Sequence, residues 1–288
     1  MDNKIGISLW TIYGWNPLET VTVDMLNKIA VMGSQAVELV VDEAYNTEEH
    51  LLNRKADLQA AMQATGLEVP SVASALFWKY NLASQDEAVR QKGVNIIEQE
   101  CRVAREFGAR AILIVAGLQE PRTEYDRSYE TAVRTVRKAA RYAEDCGVII
   151  GVEHVGCNFL TTPREYAQFL SDVDHPFVKA YLDVGNAMAT YRGFPENWVN
   201  AVKDRIAMVH VKDYTKEGKY EVCGRGDLNW TDALGALEDA GYRDALIIET
   251  PPDYGSRGQD IPAGLEAART SLAWLKGFIP TKKNDKRK

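Results

Sequence analysis

Four ionisable residues stand at the ends of four apolar runs in the second half of this 288-residue chain. Glu153 closes VIIGVE, Asp183 closes KAYLD, His210 lies in AMVHVKD and Glu249 closes LIIE. Successive members are 30, 27 and 39 residues apart. A charge at the end of a buried strand is costly unless something compensates it. Three carboxylates and one imidazole form a donor set for a single divalent metal ion. Its oxygen-rich character favours Mn²⁺, Mg²⁺ or Co²⁺, with Zn²⁺ also compatible. A cation among them would offset the repulsion that otherwise forces some of the acids to take protons. Each residue alone has a plainer reading. A strand-end acid is often paired with Lys or Arg, and a strand histidine is often satisfied in the core. Four such residues at one height on consecutive strands point instead to a metal centre.

That height depends on the elements carrying them. Short apolar runs recur along the chain: IGISLW (5–10), AVELVV (36–41), EVPSVAS (68–74), AILIVAG (111–117), VIIGVEHV (148–155), VKAYLDVG (178–185), IAMVHVKD (206–213) and ALIIET (245–250). Their continuous apolar character fits parallel strands covered on both faces. Helical segments lie between them. Residues 24–32, 54–65, 86–107, 129–146 and 231–240 stop at Gly33, Gly66, Gly108, Gly147 and Gly241. Glycine just past a helix supplies the left-handed residue that closes it. Eight such units in about 280 residues predict an α/β fold of the (β/α)₈ barrel type, with active-site residues at the carboxyl ends of the strands. A doubly wound open sheet is the second candidate, but it wants a glycine-rich phosphate turn after an early strand, and the first strand runs into WTIYGW. No linker divides the chain, so residues 1–279 are read as one barrel domain and 280–288 as a basic, disordered tail.

Composition narrows the function. The net charge is −7, yet the last eight residues, TKKNDKRK, carry five basic side chains and one acid, leaving the body near −11. An acidic body argues against nucleic acid as a partner. No apolar run approaches membrane-spanning length, and the N-terminus has no signal-peptide pattern. Cys101, Cys146, Cys157 and Cys223 form no CxxC pair, which suits a reducing cytoplasm. Of the four histidines, His50 lies in a helical stretch and His175 in a loop. His154 adjoins Glu153 and so faces the other side of its strand. Only His210 is placed to join the acids, which excludes a multinuclear zinc nuclease.

GVEH, YLDVGNA, HVKD and IIET, with the later GRGDLNW, form an ordered motif set. By these motifs, across residues 5–277, the chain resembles the xylose isomerase-like TIM barrels of the sugar phosphate isomerase/epimerase group. The resemblance implies that Glu153, Asp183, His210 and Glu249 bind one divalent ion and that Glu153 and Glu249 form the acid/base pair of a ketose 3-epimerase. The ion would polarise the ketose carbonyl and stabilise an enediolate. One glutamate would remove the proton from one face and the other return it on the opposite face. Asn186 stands where tagatose 3-epimerase-like members carry histidine, so DVGN is closer to the L-xylulose 5-phosphate 3-epimerase-like members. Asn186, Lys212, Arg225 and Trp10 are the expected substrate contacts. Arg225, Ser256 and Arg257 are the candidates for binding a phosphate. Asp213, pointing away from His210, is expected to make a structural contact.

The expected partner is a small sugar or sugar phosphate, with homo-oligomerisation implied only by the resemblance. The same metal and bases could serve a lyase or dehydratase acting on a keto-sugar, keto-glycoside or inosose. A non-catalytic sugar-binding subunit is a third reading, disfavoured by the complete ligand set.

Overall fold

A computed structural model describes residues 2–15, 17–191, 193–250 and 260–279. Eight parallel strands close into a barrel: β1 (Ile5–Ser8), β2 (Ala36–Val40), β3 (Ser71–Ala73), β4 (Ala111–Val115), β5 (Ile149–Glu153), β6 (Val178–Asp183), β7 (Ile206–Val211) and β8 (Leu246–Ile248). The order around the barrel is β1-β8-β7-β6-β5-β4-β3-β2, so each strand lies beside its sequence neighbours and β8 closes on β1. This is the (β/α)₈ architecture that the eight apolar runs predict. The strands are buried almost throughout, as strands covered by helices outside and side chains inside must be.

Every strand is shorter than its apolar run, and at two of them the reason is local. IGISLW stops at Ser8 because the Ser8 hydroxyl accepts the Trp10 backbone N–H at 3.3 Å and caps a short helix, Leu9–Tyr13. Trp10 therefore sits on a helix, not a strand. EVPSVAS pairs as a strand only over Ser71–Ala73, after Pro70, which has no N–H to offer the ladder. ALIIET pairs only over Leu246–Ile248, so Glu249 lies just past the strand.

The glycine stops hold where the left-handed conformation is needed. Helices Lys55–Thr65, Glu87–Phe107 and Tyr125–Cys146 end at Gly66, Gly108 and Gly147, with φ of 72°, 74° and 69°. The last of these begins four residues earlier than its apolar pattern suggests. Its buried face is rich in small residues (Ala132, Ala139, Ala140, Ala143), which lets it pack closely on its neighbours. Further helices at Val23–Val31, Glu48–Asn53, Pro163–Val173, Val184–Tyr191, Pro195–Val202, Trp230–Asp239 and Ile261–Phe278 add to the outer layer, and a small hairpin pairs Asp213–Tyr214 with Tyr220–Glu221 after β7. Among the described residues, no helix is long and apolar enough to cross a membrane.

One glycine matters for the interior of the barrel. A Cβ on Gly151 would come within 2.8 Å of the Tyr181 ring and 3.1 Å of the Ile112 carbonyl oxygen. Its bare Cα makes room for Tyr181, which is fully buried two residues before Asp183. Gly151→Ala is therefore expected to lower stability by about 1–3 kcal/mol, the usual cost of overpacking. Urea denaturation checks this, and an unchanged midpoint would show that the ring has room to move.

Candidate metal centre

β5, β6 and β7 are neighbours, and β8 lies on the far side of β7, so their carboxyl ends form one arc. Asp183 and His210 are register partners across β6 and β7. The arc brings Glu153, Asp183, His210 and Glu249 together: one donor atom from each lies within 4.8 Å of the others, and all four residues are buried. His210 Nδ1 is 3.4 Å from Glu153 Oε1, 3.6 Å from Glu249 Oε2 and 4.0 Å from Asp183 Oδ2. One imidazole nitrogen thus faces all three carboxylates.

The electrostatics show why these groups need a cation. Burial, with neighbouring carboxylates adding to it, pushes Glu249 up to about 8, against the attraction of Lys212 and His210. Burial also raises Glu153, although His210 and Lys212 pull the other way. His210 is moved in the opposite sense. Burial would lower it, but the charge of Glu38, hydrogen bonds to Glu153 and Glu38, and the charge of Glu249 hold it well above the usual imidazole range. Mutual repulsion and burial thus favour protonation at this cluster, and a divalent cation held there would favour the ionised carboxylates instead. The donor chemistry fits one divalent ion, held by three carboxylates and one imidazole nitrogen.

The other expected contacts divide. Lys212 shares the inward face with His210. Its ammonium lies 2.6 Å from Asp183 Oδ2 and also bonds Glu249, so it pairs with two of the acids. Asn186 is on the helix after β6. Its backbone N–H donates to Asp183 Oδ1 at 2.7 Å, and its side-chain NH₂ donates to Glu153 Oε1 and the His154 carbonyl oxygen, both at 3.2 Å. It both closes the turn and holds Glu153. Trp10 is buried at the wall of the site, and among the described residues its indole N–H meets no acceptor. Arg225 is not brought in: its side chain is exposed, and it does not line the central cavity. Ser256 and Arg257 lie outside the described residues. Asp213 faces away from the centre. It accepts from Gly224 N, Leu228 N and Trp230 Nε1 at 2.9, 3.0 and 2.9 Å, tying down the GRGDLNW segment.

Above the four donors opens a cavity of about 420 Å³, within the range of small-ligand sites. Glu153, Asn186, Lys212 and Glu249 form its polar floor, and Trp10, Trp15, Trp78, Leu113, Val115 and Val155 give it an apolar wall. Tyr220, from the hairpin after β7, closes one side and donates to Asn186 Oδ1 at 2.8 Å. Nothing in its sequence context marks Tyr220, because the hairpin brings it in.

Glu38 is a second residue that reading strand ends passes over. It lies inside β2 and is fully buried. Its carboxylate accepts from Ser71 Oγ at 2.7 Å and from the Tyr181 hydroxyl, and it lies 3.0 Å from His210 Nε2. Burial would raise its pKa, but the His210 charge and the bonds from His210, Tyr181 and Ser71 lower it. An acid inside the otherwise apolar AVELVV was the available signal.

His154 turns outward, as the alternation of a strand requires. Its ring stacks on Trp198 with centroids 4.0 Å apart. Burial lowers its pKa from 6.5 to about 4. Its neutral form is therefore favoured by folding, a contribution present above pH 6.5 and lost as pH falls towards 4. The full loss is roughly 3 kcal/mol at 1.36 kcal/mol per unit. Denaturant titrations at pH 7 and pH 4.5 should show that His154→Phe, which keeps the stacking, flattens this acid-side decline. An equal decline in both proteins would remove His154 as its source.

Comparisons with known proteins agree with this geometry. A family model described as "Xylose isomerase-like TIM barrel" matches residues 26–278. The chain is 26% identical over 273 residues to the L-ribulose-5-phosphate 3-epimerase UlaE of Escherichia coli O157:H7 (strain EC4115 / EHEC), covering 88% of each. Among solved structures, D-psicose 3-epimerase from Clostridium cellulolyticum H10 with D-tagatose superposes with a TM-score of 0.78 at 20% identity, covering 96% of this chain and 100% of the other. The 3-keto-D-glucoside 4-epimerase YcjR from E. coli superposes with a TM-score of 0.74 at 19% identity, covering 96% and 99%. These two likenesses speak to the fold.

Proposed function

We propose, for a chain that belongs to the xylose isomerase-like TIM-barrel family, a metal-dependent epimerase that inverts the carbon beside the carbonyl of a ketose or ketose phosphate. The observation that carries this reading is the placement of Glu153 and Glu249. Both reach the floor of one cavity from strands that are not neighbours, and both contribute to one cluster of metal donors. The ligands are Glu153, Asp183, His210 and Glu249, and the cation is Mn²⁺, Mg²⁺, Co²⁺ or Zn²⁺. When bound, such a cation polarises a carbonyl and neutralises developing negative charge.

The protein's own groups do the rest. Epimerisation moves a proton off one face of a planar intermediate and another onto the opposite face, which needs an acid/base group on each side. Glu153 and Glu249 fill these two roles. Burial raises both carboxyls above the usual carboxylate range, Glu249 to about 8, which favours their taking up a proton. Asn186 fixes Glu153 by donating to Oε1, while Lys212 bonds Glu249 and keeps a positive charge beside it. Trp10 lends its ring to the tryptophan wall, which covers the apolar C–H face of the sugar. The relatives named above are epimerases, and no feature of the site favours elimination over epimerisation. The enzyme works in the cytoplasm on this reading, in keeping with four cysteines that form no disulfide.

Incubation with candidate ketoses and ketose phosphates in D₂O with Mg²⁺ tests the reaction. Deuterium should enter the carbon beside the carbonyl as a new epimer appears. Glu153→Gln and Glu249→Gln should each lower turnover by about 10²–10⁴-fold, and a chelator should abolish it. Full activity in both variants would overturn the assignment. Trp10→Ala removes the ring from the cavity wall, so KM should rise several-fold with a smaller change in kcat. Unchanged KM would make Trp10 a packing residue.

A further inference from the structure

We propose that Glu38 is a positioning residue that selects which nitrogen of His210 faces the metal, and that it thereby sets the affinity of the site for a divalent cation. The inference rests on the metal-centre reading above and assigns a role to a residue outside the four ligands. A neutral imidazole carries one N–H and one lone pair, and only the lone pair can bind a metal. His210 Nδ1 faces the three carboxylates. Nε2 faces the opposite way, 3.0 Å from Glu38 Oε1 and 3.1 Å from the Tyr181 oxygen.

The hydroxyl protons around Nε2 decide the tautomer. Tyr181 gives its one O–H to Glu38 Oε2, and Ser71 gives its O–H to the same oxygen at 2.7 Å. Nε2 therefore meets a carboxylate oxygen and a phenol oxygen whose proton is already directed elsewhere. Both accept, so Nε2 keeps its N–H, and Nδ1, which faces the three carboxylates, is the nitrogen left to give up its proton to a metal. Glu38, His210, Ser71 and Tyr181 are all fully buried, so the arrangement is held by protein groups alone. A carboxylate behind a ligand histidine also makes the imidazole a stronger donor.

The position explains the residue type. Glu38 belongs to β2, and β1 and β8 lie between β2 and the β7 strand of His210. A glutamate side chain reaches across the barrel interior, and Ser71 on the adjacent β3 steadies its far oxygen. Glutamine at this position keeps the length but presents an NH₂ on one side, which Nε2–H or the two hydroxyls must then oppose.

The test is Zn²⁺ binding by the full chain, measured by competition with a chromophoric chelator, together with ¹⁵N NMR of histidine-labelled protein. Glu38→Gln should weaken Zn²⁺ binding about 10–100-fold, and in the Zn²⁺-loaded protein the His210 signals should lose the Nε2–H pattern that the loaded wild type shows. Ser71→Ala, a milder change that leaves the Glu38–His210 contact in place, should weaken binding only a few-fold. If Glu38→Gln lowers stability but binds Zn²⁺ like the wild type with the same tautomer, Glu38 is only structural and the inference is overturned. Wild-type protein that takes up no Zn²⁺ would overturn the metal-centre reading itself, a result distinct from failure of the Glu38 role.

Discussion

Three carboxyl groups packed around one imidazole, almost wholly buried, set the constraint that organises this protein. Their donor atoms lie within 4.8 Å of one another. Such a cluster is unfavourable by itself, because each buried negative charge raises the cost of the next. The protein answers with an ammonium, Lys212, between Asp183 and Glu249, and with an imidazole that shares its two nitrogens between Glu38 and the cluster. That partial compensation leaves Glu249 raised to about 8. The same unresolved charge is what a divalent cation would offset, and it raises the Glu153 and Glu249 carboxyls above the usual range.

The barrel maintains this arrangement because its supports come from separate strands. Asn186 ties Glu153 to the helix after β6, and Tyr220 ties Asn186 to the hairpin after β7. Asp213 turns outward from the end of β7 and anchors the segment that follows the hairpin. Gly151 leaves space for Tyr181, which reaches Glu38. Each support fixes a group that would otherwise choose among several rotamers. Geometry held by several elements is what proton transfer at a defined carbon requires.

Much of this was legible in the residues. The four candidate ligands are readable because they repeat one feature, an ionisable residue after an apolar run, at the spacing of one strand–helix unit. The eight strands are readable because parallel strands buried on both faces leave continuous apolar runs. What was not legible depends on closure of the barrel. Glu38 sits inside its strand, not at the end, and meets His210 only because the sheet curves through a full turn. Tyr220 enters through a short hairpin whose sequence is ordinary. Trp10 reads as strand, but the Ser8 hydroxyl starts a helix one residue earlier. Arg225 suits an anion by its sequence; the residue is exposed and is not among those lining the cavity, and exposed arginines in glycine-rich turns are common.

The most direct test of the central claim is anomalous diffraction at the zinc edge from crystals grown with Zn²⁺. One peak per chain is predicted, at about 2.0–2.2 Å from His210 Nδ1 and from carboxylate oxygens of Glu153, Asp183 and Glu249. A peak elsewhere, or coordination through His210 Nε2, would contradict the account. So would a site that stays empty at saturating Zn²⁺ while Lys212 alone neutralises the carboxylates.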